Sequence, residues 1–331
     1  MYKYFEKKTV LITGGTGTFG KNYLKCLLKN TNARKIIIYS RDELKQVQLS
    51  QSLKKNEISK VRFFIGDVRD LDRLVMACNE VDIIVHAAAL KHVPVAEYNP
   101  FECIKTNIIG SQNVIEASLR TKVKNVVALS TDKACSPVNL YGATKLCSEK
   151  IFVAANQLSG KKKTKFSVVR YGNVTASRGS VIPLFLKYKE KNYFPITDIS
   201  MTRFNISIKE AFDLVTWSLV NSKGGEIFIP KLNSFRIVDL AKAINSGAKM
   251  KIIGRREGEK IHEELISEAE SQNALNLGKY FALVSGPNRK KYKNHKPLNK
   301  NELKYNNSGL TSKKLNIDQL KKILANIDKN V

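Results

Sequence analysis

Three features of the sequence predict an α/β protein built on a doubly wound parallel sheet with a smaller C-terminal lobe. Short β-branched runs recur from the N-terminus, helix-length amphipathic segments separate them, and a glycine-rich turn follows the first run. The runs are 9–13 (TVLIT), 35–40 (KIIIYS), 61–66 (VRFFIG), 81–87 (VDIIVHA), 125–130 (NVVALS) and 166–172 (FSVVRYG). Each is apolar almost throughout, as a strand covered by helices on both faces must be. After about residue 175 the rhythm loosens. Helix-like 208–220 and 237–244 then lie among short strands at 226–230 and 249–253, which predicts the smaller lobe. Residues 286–310 are polar, lysine-rich and aperiodic, and are expected to form a long surface loop.

With 331 residues, 43% of them hydrophobic, the chain can bury a full core. Its five cysteines are odd in number and never paired as C-x-x-C, which argues against a disulfide framework or a zinc cluster and for a reducing, cytoplasmic setting. The N-terminus runs from charged residues straight into a strand, and no apolar run approaches the ~20 residues of a membrane span. Neither secretion nor a membrane span is expected. The net charge of +28, from 57 Lys and Arg against 29 Asp and Glu, reads as a composition bias spread over solvated faces. The lysine-rich tail has little aromatic interleaving, so nucleic acid is not an expected partner.

Gly14, Gly17 and Gly20 stand in a G-x-x-G-x-x-G spacing between a strand and a helix, with Thr16, Thr18 and Phe19 among them. Such a turn lets backbone approach a pyrophosphate at a helix N-terminus, which identifies a Rossmann dinucleotide site. An acid usually ends the second strand where NAD is preferred. Here that stretch is Ser40, Arg41, Asp42, Glu43, Leu44 and Lys45, and its cations and hydroxyl suit a 2′-phosphate, so NADP is expected. Asp42 dissents unless it caps the helix that begins there. Asp67 and Val68 end the third strand near an adenine edge, and the small Ala87, Ala88 and Ala89 after the fourth leave room for a nicotinamide ribose.

Tyr141 and Lys145 are four apart, hence on one face of a helix, where an ammonium would favour the phenolate and make Tyr141 a base for a sugar hydroxyl. Ser130 and Thr131 end the fifth strand just before them. Through T-G-G-T-G-T-F-G, H-A-A-A, this Ser-Thr pair and Y-G-A-T-K, the chain resembles the extended short-chain dehydrogenase/reductases. Asp132 and Lys133 add something an epimerase has no task for: an acid for a leaving C6 hydroxyl and a base for the C5 proton. Those roles require Asp132 to hold a proton and Lys133 to lose its charge. The familiar sugar-nucleotide 4,6-dehydratases carry Thr-Asp-Glu at this point. With Thr-Asp-Lys, and with matching motifs from about residue 8 to 265, the chain is similar to the inverting UDP-N-acetylglucosamine 4,6-dehydratases of pseudaminic acid biosynthesis. Membrane-anchored retaining dehydratases begin with transmembrane helices, and soluble capsule-pathway relatives tend to have Met in place of Tyr141; neither pattern fits.

The resemblance implies a hydro-lyase cycle with no net redox change. It implies residues 1–175 as the NADP-binding Rossmann domain, 176–285 as a nucleotide-sugar lobe with some of the chain crossing back, and 286–331 as a lysine-rich extension. It adds Lys91, Leu129, Ser130, Tyr141, Lys145 and Val174 to the cofactor set. UDP-N-acetylglucosamine would meet Lys91, Lys133, Asn173, Val181, Met201, Thr202 and Arg203, with Arg256 on phosphate and Glu259 on ribose. The family usually reads G-I-R-P-G-E-K where this chain has Arg255 and Glu257. A homo-oligomer is implied, a hexamer among relatives. His86, His92 and His262 lack ligand spacing and read as packing residues, so no metal is expected. Two other readings stay open: a simple nucleotide-sugar epimerase or reductase, and a non-enzymatic dinucleotide sensor or nucleic-acid binder.

Overall fold

The computed structural model describes residues 1–160, 164–177, 179–191, 193–247, 249–298 and 308–328. Its strands are β1 Thr9–Thr13, β2 Lys35–Ser40, β3 Val61–Ile65, β4 Ile83–His86, β5 Asn125–Thr131, β6 Lys165–Tyr171, β7 Asn173–Val174, β8 Tyr193–Ile196, β9 Thr202–Ile206, β10 Ile227–Pro230, β11 Asn233–Arg236, β12 Lys249–Ile252, β13 Ala274–Asn276 and β14 Tyr280–Leu283. Nine of them form one sheet in the order β13-β14-β10-β6-β5-β4-β1-β2-β3. From β10 to β3 the pairs are parallel, and only the β13–β14 end is antiparallel. The order reverses between β1 and β4, so the chain is doubly wound and its crevice lies at the carboxyl ends of these strands.

The six strands read from the sequence are all present, because a run such as Thr9–Thr13, buried at every position, has no face to offer water. The run at 226–230 takes a different place from the one expected. Ile227–Pro230 is buried on both faces and extends the main sheet beside β6, with Ile227 opposite Val168. The small lobe instead pairs β11-β9-β7 and β12-β8 over its own core of Phe185, Phe194, Met201, Phe235 and Leu240. The helix Ile317–Asp328 packs on the helix Ile237–Ile244, and Leu315 and Leu320 enter that core. Of the loop expected at 286–310, Gly286–Tyr292 is a 3₁₀ segment with Asn288 and Tyr292 buried, and 299–307 lie outside the described residues. No helix of the described residues is long and apolar enough to cross a membrane.

One ion cluster ties β6 to two helices. Arg170 on β6 is fully buried and donates to Glu149 Oε1 and Oε2 at 2.9 and 2.6 Å, to Glu270 at 2.8 and 2.7 Å, and to the Leu265 carbonyl at 2.9 Å. Glu149 belongs to the helix Leu140–Leu158 and Glu270 to the short helix Glu268–Ser271.

Candidate active site

A cleft of about 960 Å³ opens along the carboxyl ends of β1, β2, β4, β5 and β6 and continues under the small lobe. Its cofactor end begins at Gly14, whose φ of +62° and whose closeness to the Ala88 backbone (a Cβ would stand 2.9 Å from Ala88 Cα) admit glycine alone. Thr16, Gly17, Thr18, Phe19, Gly20, Ser40, Arg41, Asp42, Lys45, Asp67, Val68, Ala87, Ala88, Ala89, Lys91, Leu129, Ser130 and Val174 line the same wall. The Thr16 and Ser40 hydroxyls meet at 2.7 Å. Asp42 caps the helix Glu43–Gln51 by accepting from Lys45 N at 2.9 Å, and it pairs with the Lys45 ammonium. That cap corrects the reading of two residues: Glu43 and Leu44 sit in the first turn, are exposed, and do not line the cleft. Arg41 lies 3.5 Å from Asp67. The wall also holds Thr106 Oγ1 and Ser130 Oγ, both buried and without a hydrogen-bond partner. A glycine cradle at a helix N-terminus with unspent hydroxyls beyond it fits a dinucleotide.

The reaction end is assembled by the helix Leu140–Leu158. Asn139 caps it, accepting from Gly142 N at 2.8 Å while its own amide donates to the Gly258 carbonyl at 2.8 Å. Tyr141 and Lys145 share one face and are both buried. Lys145 Nζ donates to the Leu129 carbonyl at 2.7 Å. Behind them Lys105–Ile109 widen into a π-turn, where Asn107 bonds both the N–H and the carbonyl of Leu90 and donates to Thr144 Oγ1 at 3.0 Å. This holds the loop after β4 against the Tyr-Lys helix.

The Asp132–Ala134 turn leaves β5 with Thr131 Oγ1 donating to Asp132 Oδ1 at 3.0 Å. Asp132 is wholly buried, stands just behind the cleft wall, and accepts from Lys133 Nζ at 3.0 Å; its Oδ2 has no hydrogen-bond partner. Lys133 lines the cleft and lies 3.2 Å from Glu263 Oε1. Gly142 makes the closest approach to this turn, since a Cβ there would stand 2.2 Å from the Lys133 carbonyl oxygen. Gly142→Ala is therefore expected to displace Lys133 and cost about 10²-fold in turnover with the fold retained, as steady-state rates and circular dichroism would report.

The titration pattern departs from the sequence expectation in two respects. Burial pushes the Tyr141 phenol up to about 12, although Lys133 and the Thr131 hydroxyl pull it down, so no resting phenolate is held. Burial also lowers Lys145 to about 8, and its ammonium is turned to a carbonyl. Lys133 keeps its charge: burial opposes the ammonium, but the carboxylates of Asp132 and Glu263 outweigh it and raise it. Asp132 is raised by burial, with Glu263 adding to the effect and Lys133 opposing it, which suits an acid.

At the far end Asn173, Val181, Met201, Arg203, Arg256 and Glu259 line the cleft. Arg203 is buried, donates to the Thr202 and Ile261 carbonyls at 2.7 and 3.1 Å, and meets Glu259 at 3.2 Å; Arg256 meets Glu259 at 3.4 Å. Thr202 does not reach the cleft, because its hydroxyl pairs with His262 Nδ1 at 2.8 Å behind the wall. His86 is a core residue between Thr13 and Ser111 at 2.8 and 3.3 Å. Glu263 was not legible in the sequence. It lies 130 positions from Lys133, and only the acidic pair Glu263-Glu264 near the substrate loop hinted at it.

Residues 10–285 match the family described as polysaccharide biosynthesis protein. The chain belongs to that family. A relative in Campylobacter jejuni, UDP-N-acetylglucosamine 4,6-dehydratase (inverting), is 56% identical over 281 residues, 84% of this chain and 83% of that one. A UDP-glucose 4-epimerase of Rickettsia bellii is 41% identical over 98% of this chain and 97% of its own. The X-ray structure of Pen from Bacillus thuringiensis has the same fold, with a TM-score of 0.88 at 37% identity over 98% of this chain and 99% of that one. For this member of the polysaccharide biosynthesis family, the cleft thus combines a dinucleotide wall, a Tyr-Lys helix and a buried acid-amine pair.

Proposed function

We propose that the chain is an NADP-dependent hydro-lyase that dehydrates UDP-N-acetylglucosamine across C4–C6 with inversion at C5. The observation that carries this reading is the 3.0 Å contact of Asp132 with Lys133, beside Tyr141 and at the cleft. The 56% identical dehydratase supports it, whereas the 41% identical epimerase supports a rival in which the hydride returns to C4 and no water leaves.

A nicotinamide dinucleotide held along Gly14–Gly20 would accept hydride from the sugar and return it. Tyr141 takes the C4 hydroxyl proton, and Thr131 and Lys133 are the groups that favour its phenolate against burial. With C4 a ketone, C5–H becomes acidic, and Lys133, having passed its proton to Asp132 at 3.0 Å, removes it as Asp132 protonates the departing C6 hydroxyl. Return of the hydride to C6, with reprotonation of C5 from the opposite face, gives the 4-keto-6-deoxy sugar of L-arabino configuration. Lys91, Asn173, Val181, Met201 and Arg203 would shape the sugar pocket, Arg256 would meet diphosphate and Glu259 ribose. Ser40, Arg41 and Lys45 favour a 2′-phosphate once Asp42 is spent as a cap. The same reading makes this the first step towards pseudaminic acid, run in the cytoplasm by a homo-oligomer.

Incubated with UDP-N-acetylglucosamine in heavy water, the protein is expected to yield a 6-deoxy-4-keto product carrying deuterium at an inverted C5, read by NMR. Retained C5 configuration would exclude the inverting assignment. A C4 epimer with its C6 hydroxyl intact would establish the rival.

A further inference from the structure

Glu263 follows the substrate loop on a stretch that no motif marks, yet it lines the catalytic cleft. It is 2% exposed, its Oε1 is 3.2 Å from Lys133 Nζ, and its Oε2 is buried without a hydrogen-bond partner. A carboxylate is seldom left with an unspent oxygen in a protein interior unless its charge serves something nearby. Lys133 is thereby held between two carboxylates, Asp132 at 3.0 Å and Glu263 at 3.2 Å. Two other cations facing this centre are bonded elsewhere. Arg203 binds Glu259 and two carbonyls, and Lys260 donates to the Cys135 carbonyl at 2.6 Å.

We propose that Glu263 is a positioning residue of the proton-transfer centre, acting through Lys133 and Asp132 on the loss of water and not on the Tyr141 step. The inference rests on the dehydratase reading. Its electrostatics have one sign. The negative charge of Glu263 stabilises a proton on each neighbour, raising both Lys133 and Asp132, while Lys133, Arg203 and Lys260 keep Glu263 itself ionised against burial. Lys91, also in the wall, is lowered by burial and by Lys133. The base limb of the elimination is the free Lys133 amine and the acid limb is protonated Asp132. Removing the Glu263 charge lowers both, so both limbs of the pH profile move towards acid together. Tyr141 is raised chiefly by burial, and its strongest neighbours are Lys133, Thr131, Asp132 and Cys103.

The test is Glu263→Gln in the full chain, with Glu263→Asp as the charge-keeping variant. For Glu263→Gln, the pH profile of 6-deoxy product formation is expected to move about one unit towards acid. On the alkaline limb kcat then changes about tenfold per unit of displacement, with KM within about twofold. The build-up of reduced-nicotinamide absorbance after mixing should keep its wild-type rate, and Glu263→Asp should keep the profile near wild type. Independently of turnover, Lys133 in the substrate-free protein should react faster with an amine-selective reagent at pH 8 in Glu263→Gln than in wild type, by peptide mass spectrometry. An unmoved profile with unmoved labelling overturns the assignment. So does an equal loss of absorbance build-up and product, which marks a merely structural role. Wild type that makes no 6-deoxy product sinks the dehydratase reading, and the labelling comparison still decides for or against Glu263.

Discussion

Replacing Lys133 with methionine is expected to lower formation of the 6-deoxy product by about 10³-fold, the range over which positioned acid-base groups act. Methionine keeps much of the side-chain length and apolar body but offers no amine, so C5–H has no base at the point where Lys133 Nζ now stands, 3.0 Å from Asp132 and 3.2 Å from Glu263. Oxidation at C4 should survive in slowed form. Burial raises the Tyr141 phenol to about 12 even with Lys133 pulling it down, so the loss of Lys133 leaves that phenol still harder to ionise. Reduced-nicotinamide absorbance should therefore rise slowly and persist, and the recovered sugar should carry no deuterium at C5. This separates Lys133 from Glu263, whose loss should spare the first step. Near-normal turnover in the methionine variant would show that Lys133 is not the base.

The parts legible in the sequence were those set by local rules. Strands buried on both faces announce themselves by continuous apolar runs, and Tyr141 with Lys145 on one helical face follows from a spacing of four. What escaped depended on the third dimension. The apolar run at 226–230 said strand but not which sheet, and the structure adds it to the edge of β6. Spacing gave Tyr141 an ammonium neighbour but could not give the burial that outweighs it, nor the carbonyl of Leu129 that occupies Lys145. Glu43 and Leu44 adjoin Ser40–Asp42 in sequence, but a helix capped at Asp42 turns its first residues outward. Thr202 adjoins Arg203 in sequence, yet alternate residues of a strand face opposite ways. Glu263 needed a contact across 130 residues that no local pattern encodes.

The largest expected effect on stability lies at Arg170. Arg170→Met should cost about 3–5 kcal/mol in urea unfolding at pH 7, because it leaves the buried Glu149 and the half-buried Glu270 without their cation. The pH dependence has a definite sign. Burial works against the Glu270 carboxylate, but hydrogen bonds and charge from Arg170 win and hold it at about 2, below its ordinary 4.5. A group depressed in this way contributes stability that is complete above about 4.5 and is lost as pH falls towards 2. The gap between wild type and Arg170→Met should therefore be widest near neutrality and shrink on acidification through that window. A gap constant from pH 7 to 3 would mean that packing, not charge, carries the loss. Arg170→Met combined with Glu149→Gln and Glu270→Gln should regain much of the stability, since neutralising a whole buried cluster costs less than breaking it. The chemistry should feel the lesion too. Glu149 stands one turn beyond Lys145 and supports its ammonium, and Glu270 accepts from Cys135 Sγ at 3.6 Å, two residues after Lys133. Arg170 thus fastens the helix that carries Tyr141, the turn that carries Asp132 and the stretch that carries Glu263 to one strand, so its loss should lower turnover even where the chain remains folded.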